Sequence, residues 1–292
     1  MPLLSIIIVT WNSEEFIPDC LKSIFNTKGS LDIEVIVVDN DSEDGTVKVI
    51  TEFGPEVKLI SNQENLGYAK GNNQGIEIAR GEYILLLNPD VVLKENTLKL
   101  MLDFMERERG IDGLSPQLLN PDGTIQPSCR EFPDFSILLW EITGLSSLFP
   151  ESRVFGRWRM GYFDFKSVRE VDQPMSSFLL LRKNVLEKIG LFDESFPIFF
   201  NDVDLCYRIK LKGGKLYFYP EAKAIHHKGA STFQIKPVSI LHSHLGFFRF
   251  LRKYKKDFLS QLLVYFSGII LMAAALLRII WYFLKTIFSR NL

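Results

Sequence analysis

An α/β fold with a doubly wound, mostly parallel sheet is predicted by three features of the sequence. Roughly the first hundred residues alternate short apolar runs with amphipathic stretches, the rhythm of βαβα units. The apolar runs are nearly continuous, as strands are when helices cover both faces of a parallel sheet. Each run ends in polar residues that favour turns.

Strands are predicted at Leu4–Thr10, Ile33–Asp39, Val57–Ser61 and Tyr83–Leu87. Helices are predicted at Ser13–Phe25, Asp44–Phe53, Tyr68–Ala79 and Glu95–Arg109. "SEDGT" and "NPDVVLKEN" supply turn and cap residues before two of these helices. From about Leu114 to Val171 the pattern is less regular. "NPDGT" there reads as a hairpin-like turn, and "FPESRVFGRWRMGYFDF" as either a surface insertion or a lid that recognises an acceptor. Next, "SSFLLLRKNVLEKIGLFDE" reads as a strand, a short helix and a turn. "NDVDLCYRIKLKGG" reads as an amphipathic helix stopped by glycines. "KLYFYPEAKAIHHKG" reads as an alternating strand, a turn and a second short strand.

The length of 292 residues suits one large α/β domain or two smaller ones, and a hydrophobic content of 47% suffices for a core. With 34 basic and 35 acidic residues, the chain lacks the basic balance expected of a nucleic-acid binder. Cys20, Cys129 and Cys206 have no metal-ligand spacing and read as small hydrophobes in a reducing compartment. "MPLLSIIIVTW" has no basic n-region and reads as a first strand, not a signal peptide.

The C-terminal part is different in kind. Leu262–Leu284 is apolar apart from Ser267, Gly268 and Arg278. As a helix it spans roughly 34 Å, enough to cross a bilayer core, or it lies in the membrane interface. Arg249, Arg252, Lys253, Lys255 and Lys256 precede it, a bias that puts the preceding domain in the cytoplasm. Arg278 lies towards the distal end of the run, where its side chain can snorkel to the interface.

In doubly wound sheets ligands bind beyond the carboxyl ends of the strands. Those ends carry Thr10-Trp11-Asn12, Asp39-Asn40-Asp41, Asn62 and Asn88-Pro89-Asp90. Four polar ends together favour a binding edge over plain turns. No G-x-G-x-x-G follows the first strand, which disfavours an NAD or FAD site. In "VVDNDSEDGT" a strand delivers Asp39, which either accepts hydrogen bonds from a base or ribose or forms an Asx-turn and cap. Gly67, Gly71 and Gly75 open a helix at small-residue spacing, for close packing or for close approach of a nucleotide or sugar beside Lys70 and Asn72. Asp90, diphosphate oxygens and water would make an oxygen-ligand site for Mg²⁺ or Mn²⁺. Asp202 and Asp204 begin a helix, where they cap it or supply a carboxylate that takes a proton from a hydroxyl. His226, in a chain with four histidines, is a structural residue or a ligand.

Taken in order, "SIIIVTWN", "VVDNDSEDGT", "NLGYAKGNNQGI", "LLLNPD", "GLFDESFPIFFNDVDLCYRI" and "AIHHKGAS" resemble a family 2 glycosyltransferase of GT-A fold. The branch it is most similar to is the bacterial rhamnosyltransferase-like one that builds cell-surface polysaccharides. The resemblance runs from about Leu4 to Ser231. It implies inverting transfer from a nucleotide-diphospho-sugar with a divalent metal. By position, Asp39 matches the residue that reads the base, flanked by Thr10 and Asn12, with Asp41 on the same loop. Asn88 and Asp90 match the metal-binding acidic motif, His226 its later histidine ligand, and Asp202 the catalytic base. Asp204 is then left to cap the helix or pair with Arg208. The sugar implied is a deoxyhexose such as rhamnose, and the acceptor a surface-polysaccharide or polyprenyl-diphosphate-linked glycan at the cytoplasmic face of the membrane. The chain departs from the family pattern where Asn88-Pro89-Asp90 stands for Asp-x-Asp, where Asn201-Asp202 stands for Glu-Asp, and at Ser176-Ser177, where Gly-Ala is commoner.

The domain expectation is a catalytic domain over 1–240, its donor half about 1–113 and acceptor half about 114–240. A basic amphipathic segment over 241–261 and a membrane helix over 262–284 follow it. A nucleotidyltransferase is a rival reading, but it would carry a Gly-rich basic loop where "TWNSEE" stands. A catalytically silent, membrane-anchored assembly partner is another. Asn88 and Asn201 leave room for that, whereas Asp39, Asp90, Asp202 and His226 argue against it.

Overall fold

The computed structural model describes residues 2–227 and 236–290; the end of the "AIHHKGAS" motif, 228–231, lies outside the described residues. The first part of the chain alternates as predicted: β1 (Leu4–Thr10), α1 (Ile17–Thr27), β2 (Ile33–Asp39), α2 (Thr46–Glu52), β3 (Val57–Ser61), α3 (Gly67–Ile78) and β4 (Tyr83–Leu87). Helix α1 starts later than predicted. Ser13–Phe16 form a turn on the Ser13 carbonyl, and Pro18 then sets the first helical turn. Asp44 stays outside α2, its carboxylate accepting from the backbone N–H of Thr46 at 3.0 Å.

The spacing after Asp90 predicts a turn leading directly into a helix. A short strand, β5 (Val91–Leu93), intervenes before α4 (Thr97–Arg107), and Asn96 takes a left-handed φ of 62° to join them. Next come β6 (Gly113–Leu119), the predicted turn at Asn120–Thr124, β7 (Ile125–Gln126) and β8 (Cys129–Arg130). Two short helices, α5 (Phe135–Thr143) and α6 (Leu145–Leu148), lead to β9 (Arg169–Val171), β10 (Gln173–Pro174), β11 (Phe178–Arg182) and α7 (Lys183–Ile189). Then follow α8 (Asn201–Leu211) and β12 (Leu216–His226). The two strands predicted across "KLYFYPEAKAIHH" are a single strand. Pro220 falls inside a register shift between Tyr219 and Lys223, which absorbs the missing N–H without ending the strand.

The main sheet runs in the order β3-β2-β1-β4-β11-β6-β12-β5. Strands β1 to β4 are parallel neighbours, as are β6 and β12; β11 and β5 are antiparallel insertions. Period-two alternation sorts the strand side chains onto two faces. Ile6, Ile8, Val35, Val37 and Leu85 pack against α1 and α4, whereas Ile7, Val9, Ile36, Val38 and Leu86 pack against α3 and α8. Gly71 and Gly75 serve the second contact. A Cβ on Gly75 would meet the Ile7 Cγ2 at 2.5 Å, so these two glycines allow α3 to lie close on β1. Their spacing is explained by packing and not by approach of a ligand.

The stretch before the apolar run is a helix in its own right, α9 (Lys236–Tyr254), and the apolar helix α10 (Phe258–Arg290) is longer than predicted. The break at Lys255–Asp257 has a simple cause. Asp257 caps α10, its carboxylate accepting from the Ser260 N–H at 2.9 Å. Helix α9 is fastened to α8 and the loop before it. Asp204 on α8 is wholly buried and accepts from Arg208 Nε (2.8 Å), Lys253 Nζ (2.5 Å) and the Tyr254 hydroxyl (2.7 Å). Lys253 also reaches Asp193 at 2.6 Å, and Arg249 donates to the Ser195 carbonyl at 2.7 Å. An aromatic layer of Phe196, Phe200, Phe247 and Phe250 fills the space between α8 and α9. Helix α10 buries Val264, Ser267, Leu271 and Ala275 and exposes Phe258, Leu262, Phe266, Ile269 and Trp281. It is the one helix among the described residues long and apolar enough to cross a membrane.

Asp204→Ala is expected to lower the unfolding free energy by about 3 kcal/mol, the usual cost of removing one partner from a buried ion pair. Denaturant unfolding in detergent measures this. An unchanged midpoint would show that the buried carboxylate does not hold α9 in place.

Candidate active site

The carboxyl ends of the strands and the N-terminus of α8 face a common cavity of about 900 Å³. Thr10, Gly67, Asn88, Asp90, Asp202 and His226 line it. Asn12, Asp39, Asp41, Lys70 and Asn72 do not. Asp39 sits directly behind Thr10 and is almost wholly buried. Its Oδ1 accepts from the Thr10 hydroxyl (2.8 Å) and the Ser42 hydroxyl (2.6 Å), and its Oδ2 from the Ser42 N–H (2.9 Å). Asn12 braces the same loop, its Oδ1 accepting from the Glu43 N–H at 2.9 Å. Asn12 and Asp41 both have positive φ, 46° and 62°, a conformation that Asn and Asp tolerate better than most residues. Lys70 is exposed on α3, and the buried Asn72 amide donates to the Tyr68 carbonyl in its own helix at 2.8 Å. Gly67 holds φ +84° where a Cβ would lie 2.9 Å from the Pro197 carbonyl oxygen, so only glycine fits the loop that enters α3.

Asp90 and His226 meet because β5 pairs with β12. The register sets His226 opposite Val91, and the His227 N–H donates to the Asp90 carbonyl at 2.9 Å. His226 Nε2 then lies 3.4 Å from Asp90 Oδ1, and both side chains are buried. Asp90 Oδ1 has no hydrogen-bond partner, an expensive state for a buried carboxylate oxygen. The other imidazole nitrogen is engaged. His226 Nδ1 lies 2.6 Å from Gln126 Oε1. Gln126 Nε2 donates to Asn120 Oδ1 (2.9 Å) and the His226 carbonyl (3.3 Å), which fixes the amide so that its oxygen faces the ring. The proton therefore belongs on Nδ1, and the Nε2 lone pair points towards Asp90.

An orphaned carboxylate oxygen beside a free imidazole lone pair is a donor set that fits Mg²⁺ or Mn²⁺. No third His, Cys, Asp or Glu joins them among the described residues, so a cation there would take its other ligands from substrate and water. Asn88 lines the same turn. Its N–H donates to the Ser177 carbonyl at 2.9 Å, and the buried Cys20 thiol donates to its carbonyl at 3.6 Å. All three cysteines are free and buried.

Asp202 also lines the cavity, at the N-terminus of α8. Its Oδ1 accepts from the Val203 N–H (2.8 Å) and its Oδ2 from Gln173 Nε2 (2.9 Å) and the Ser176 N–H (3.4 Å). Burial pushes its pKa up, against the opposing pull of these hydrogen bonds and of nearby Arg130. A carboxylate with a raised pKa is a stronger base when ionised. Asp204, two residues on, is directed away from the cavity into its cluster with Arg208 and Lys253.

Several residues that the sequence pattern leaves unmarked belong to this site. Gln126 and Gln173 orient His226 and Asp202, and nothing in their local sequence marks them. The hydroxyl of Tyr68 donates to the Ser176 carbonyl at 3.0 Å, tying α3 to the Asp202 wall. Trp158 and Arg159, from the aromatic and basic stretch, line the cavity, so that stretch is more than a surface insertion. Arg278 also lines it, where the sequence pattern predicts snorkelling away from the domain.

Residues 5–162 match the model of glycosyl transferase family 2. The chain is 30% identical over 224 residues to an N-acetylglucosaminyl-diphospho-decaprenol L-rhamnosyltransferase of Mycobacterium tuberculosis, covering 73% of this chain and 72% of that protein. It is 25% identical to rhamnosyltransferase WbbL of Escherichia coli, over 76% of this chain and 82% of the relative. A crystal structure of GalNAc-T7 with UDP, GalNAc and Mn2+ superposes with a TM-score of 0.57 at 15% identity, over 77% of this chain and 44% of that one. That likeness, with the sheet order, gives the GT-A fold.

Gln126→Leu, which deletes the acceptor for Nδ1–H, is expected to weaken Mn²⁺ binding roughly ten- to a hundredfold, the range for lost outer-shell partners of a metal histidine. Electron paramagnetic resonance titration of free Mn²⁺ reads the change. Equal affinity in the variant would remove Gln126 from the site.

Proposed function

The chain belongs to glycosyl transferase family 2, and we propose that it transfers a sugar, rhamnose first among candidates, from a nucleotide-diphospho-sugar to a hydroxyl of a lipid-linked or surface-polysaccharide glycan with inversion. The observation that carries this reading is that Asp90, His226 and Asp202 line one cavity. The rhamnosyltransferase relatives support the sugar, and the diphospho-decaprenol acceptor in one relative's name supports the lipid carrier.

In this reading the donor lies along the ends of β1, β2 and β4. Thr10 lines the base and ribose end, with Asp39, Asn12 and Asp41 shaping the loops behind it, and Gly67 borders the same end. Asn88, Asp90 and His226 take the diphosphate end. Asp90 and His226 would hold a divalent cation, which would supply positive charge to offset the negative charge of the departing nucleoside diphosphate. Asp202 accepts the proton of the acceptor hydroxyl. That oxygen bonds to the anomeric carbon while the bond to the diphosphate oxygen breaks, and the electron pair leaves with the nucleoside diphosphate. Attack from the side opposite the leaving group inverts the centre.

Helix α10 anchors the enzyme to the membrane in the same proposal. Of the basic residues before it, Arg249 and Lys253 are committed to the catalytic domain. Arg252, Lys255 and Lys256 remain for a cytoplasmic anionic surface.

Asp202→Asn is expected to keep donor affinity and lose transfer by about two to four orders of magnitude. In the wild type, transfer should fall as pH drops through the raised Asp202 pKa, because protonation removes the base. Steady-state transfer beside donor titration tests both. Near wild-type turnover in the variant would place the base elsewhere.

Deleting the chain from Phe258 onward is expected to move the protein from the membrane fraction to the soluble one while α9 stays docked. Fractionation with circular dichroism checks this. Full-length protein that is soluble without detergent would refute the anchor.

A further inference from the structure

We propose that Arg278, Arg130 and Arg159 form a binding site for the diphosphate of a lipid-linked acceptor, placed where the apolar helix α10 meets the catalytic cavity. The proposal rests on the transferase reading above and deepens it by assigning the residues that recognise the acceptor's anionic group.

Arg278 is the sole charged residue within the apolar run Leu262–Leu284. A lone guanidinium in such a run is costly in a membrane and marks a functional site by default. It lines the same cavity as Asp202, beside Phe247 and Leu271 from the α9–α10 layer. It is also close enough to His244 to add to the lowering of that imidazole's pKa, which burial dominates. Two more guanidinium groups, Arg130 and Arg159, line the same cavity. Arg130 stacks over Trp158, 5.4 Å from the ring centroid, and burial and Arg159 together pull its pKa below the ordinary value. Among the described residues neither Arg130 nor Arg278 forms an ion pair, and only Arg159 has one, with Glu141 at 2.8 Å. Glu141 and Asp202 line the same cavity and favour the charged form of Arg130, but neither is in an ion pair with Arg130 or Arg278 among the described residues, so both guanidinium groups have N–H donors open to an anion.

A diphosphate is the anion that fits, since guanidinium groups bind phosphate oxygens through paired N–H donors. The donor's own diphosphate is accounted for at Asp90 and His226, which lie on β-strand ends and not on α10. The outward face of α10 is apolar along Phe266, Ile269 and Leu276, whereas Leu271 on its inner face lines the cavity. An acceptor with a hydrocarbon tail and a diphosphate head matches that sequence of surfaces: tail along α10, head at Arg278, sugar towards Asp202.

The test uses the full chain in detergent micelles with farnesyl diphosphate, farnesol and inorganic pyrophosphate as probes, read by calorimetry. Farnesyl diphosphate is expected to bind at least tenfold tighter than either of the others. Arg278→Gln should remove most of that preference, Arg278→Lys should retain part of it, and nucleoside diphosphate affinity should not change in either. Equal binding of farnesol would overturn the proposal by showing that no anion is read. Equal binding of pyrophosphate would overturn it by showing that no lipid is read. A fall in nucleoside diphosphate affinity in Arg278→Gln would assign the cation to the donor instead. Binding is read here without turnover, so failure of the transferase reading, seen as no transfer to any acceptor, is separable from failure of this site.

Discussion

The site depends on one short strand pairing. Val91–Leu93 lies antiparallel to Ala224–His226, at the edge of a sheet whose other strands would form without it. The pairing brings together residues more than a hundred positions apart in the chain. It buries an Asp90 oxygen that has no hydrogen-bond partner, beside an imidazole whose tautomer is set by Gln126. Burial of such a group is unfavourable on its own, and the surrounding sheet supplies the stability that tolerates it. Strain of this kind, held by a rigid frame, is common where a fold is built to receive a charged ligand.

The part of the cavity formed by α8 follows a different logic. Asp202 and Asp204 are two positions apart on one helix and have opposite surroundings. The first accepts hydrogen bonds from neutral donors and faces the cavity; the second accepts from two cations and a phenol and faces the domain interior. The separation lets one carboxylate fix the helix while the other keeps a raised pKa. It also couples the helix carrying Asp202 to α9, and through α9 to the apolar helix. The cavity wall carrying Asp202 and the apolar helix α10 are therefore linked through α9.

Much of this was legible in the sequence because the relevant signals are local. Continuous apolar runs marked β1, β2 and β4, and the polar residues after them marked the binding edge. Arg208, four positions after Asp204, marked the i, i+4 pair. What was not legible arises from distant contacts. Nothing in "NPDVVL" distinguishes a turn from a three-residue strand until β12 is there to pair with it. The roles of Gln126 and Gln173 depend on partners in other elements. Lys70 and Asn72 looked like ligand contacts by position, yet one faces solvent and the other is occupied within its helix. Arg278 was visible as an oddity in an apolar run, but only the packing of α10 on α9 gives it a place in the cavity.

The sheet order also sets constraints on biosynthesis. Strand β4 is flanked by β1 and β11, and its second neighbour is translated only after the irregular middle of the chain. A nascent chain that has completed β4 thus exposes an apolar edge, Tyr83–Leu87, which is fully covered in the finished protein. Such edges pair with other chains when left open. Expression of fragments ending before Phe178 should therefore favour aggregates over a folded nucleotide-binding piece, and slow passage of the ribosome through the middle segment would prolong the exposure.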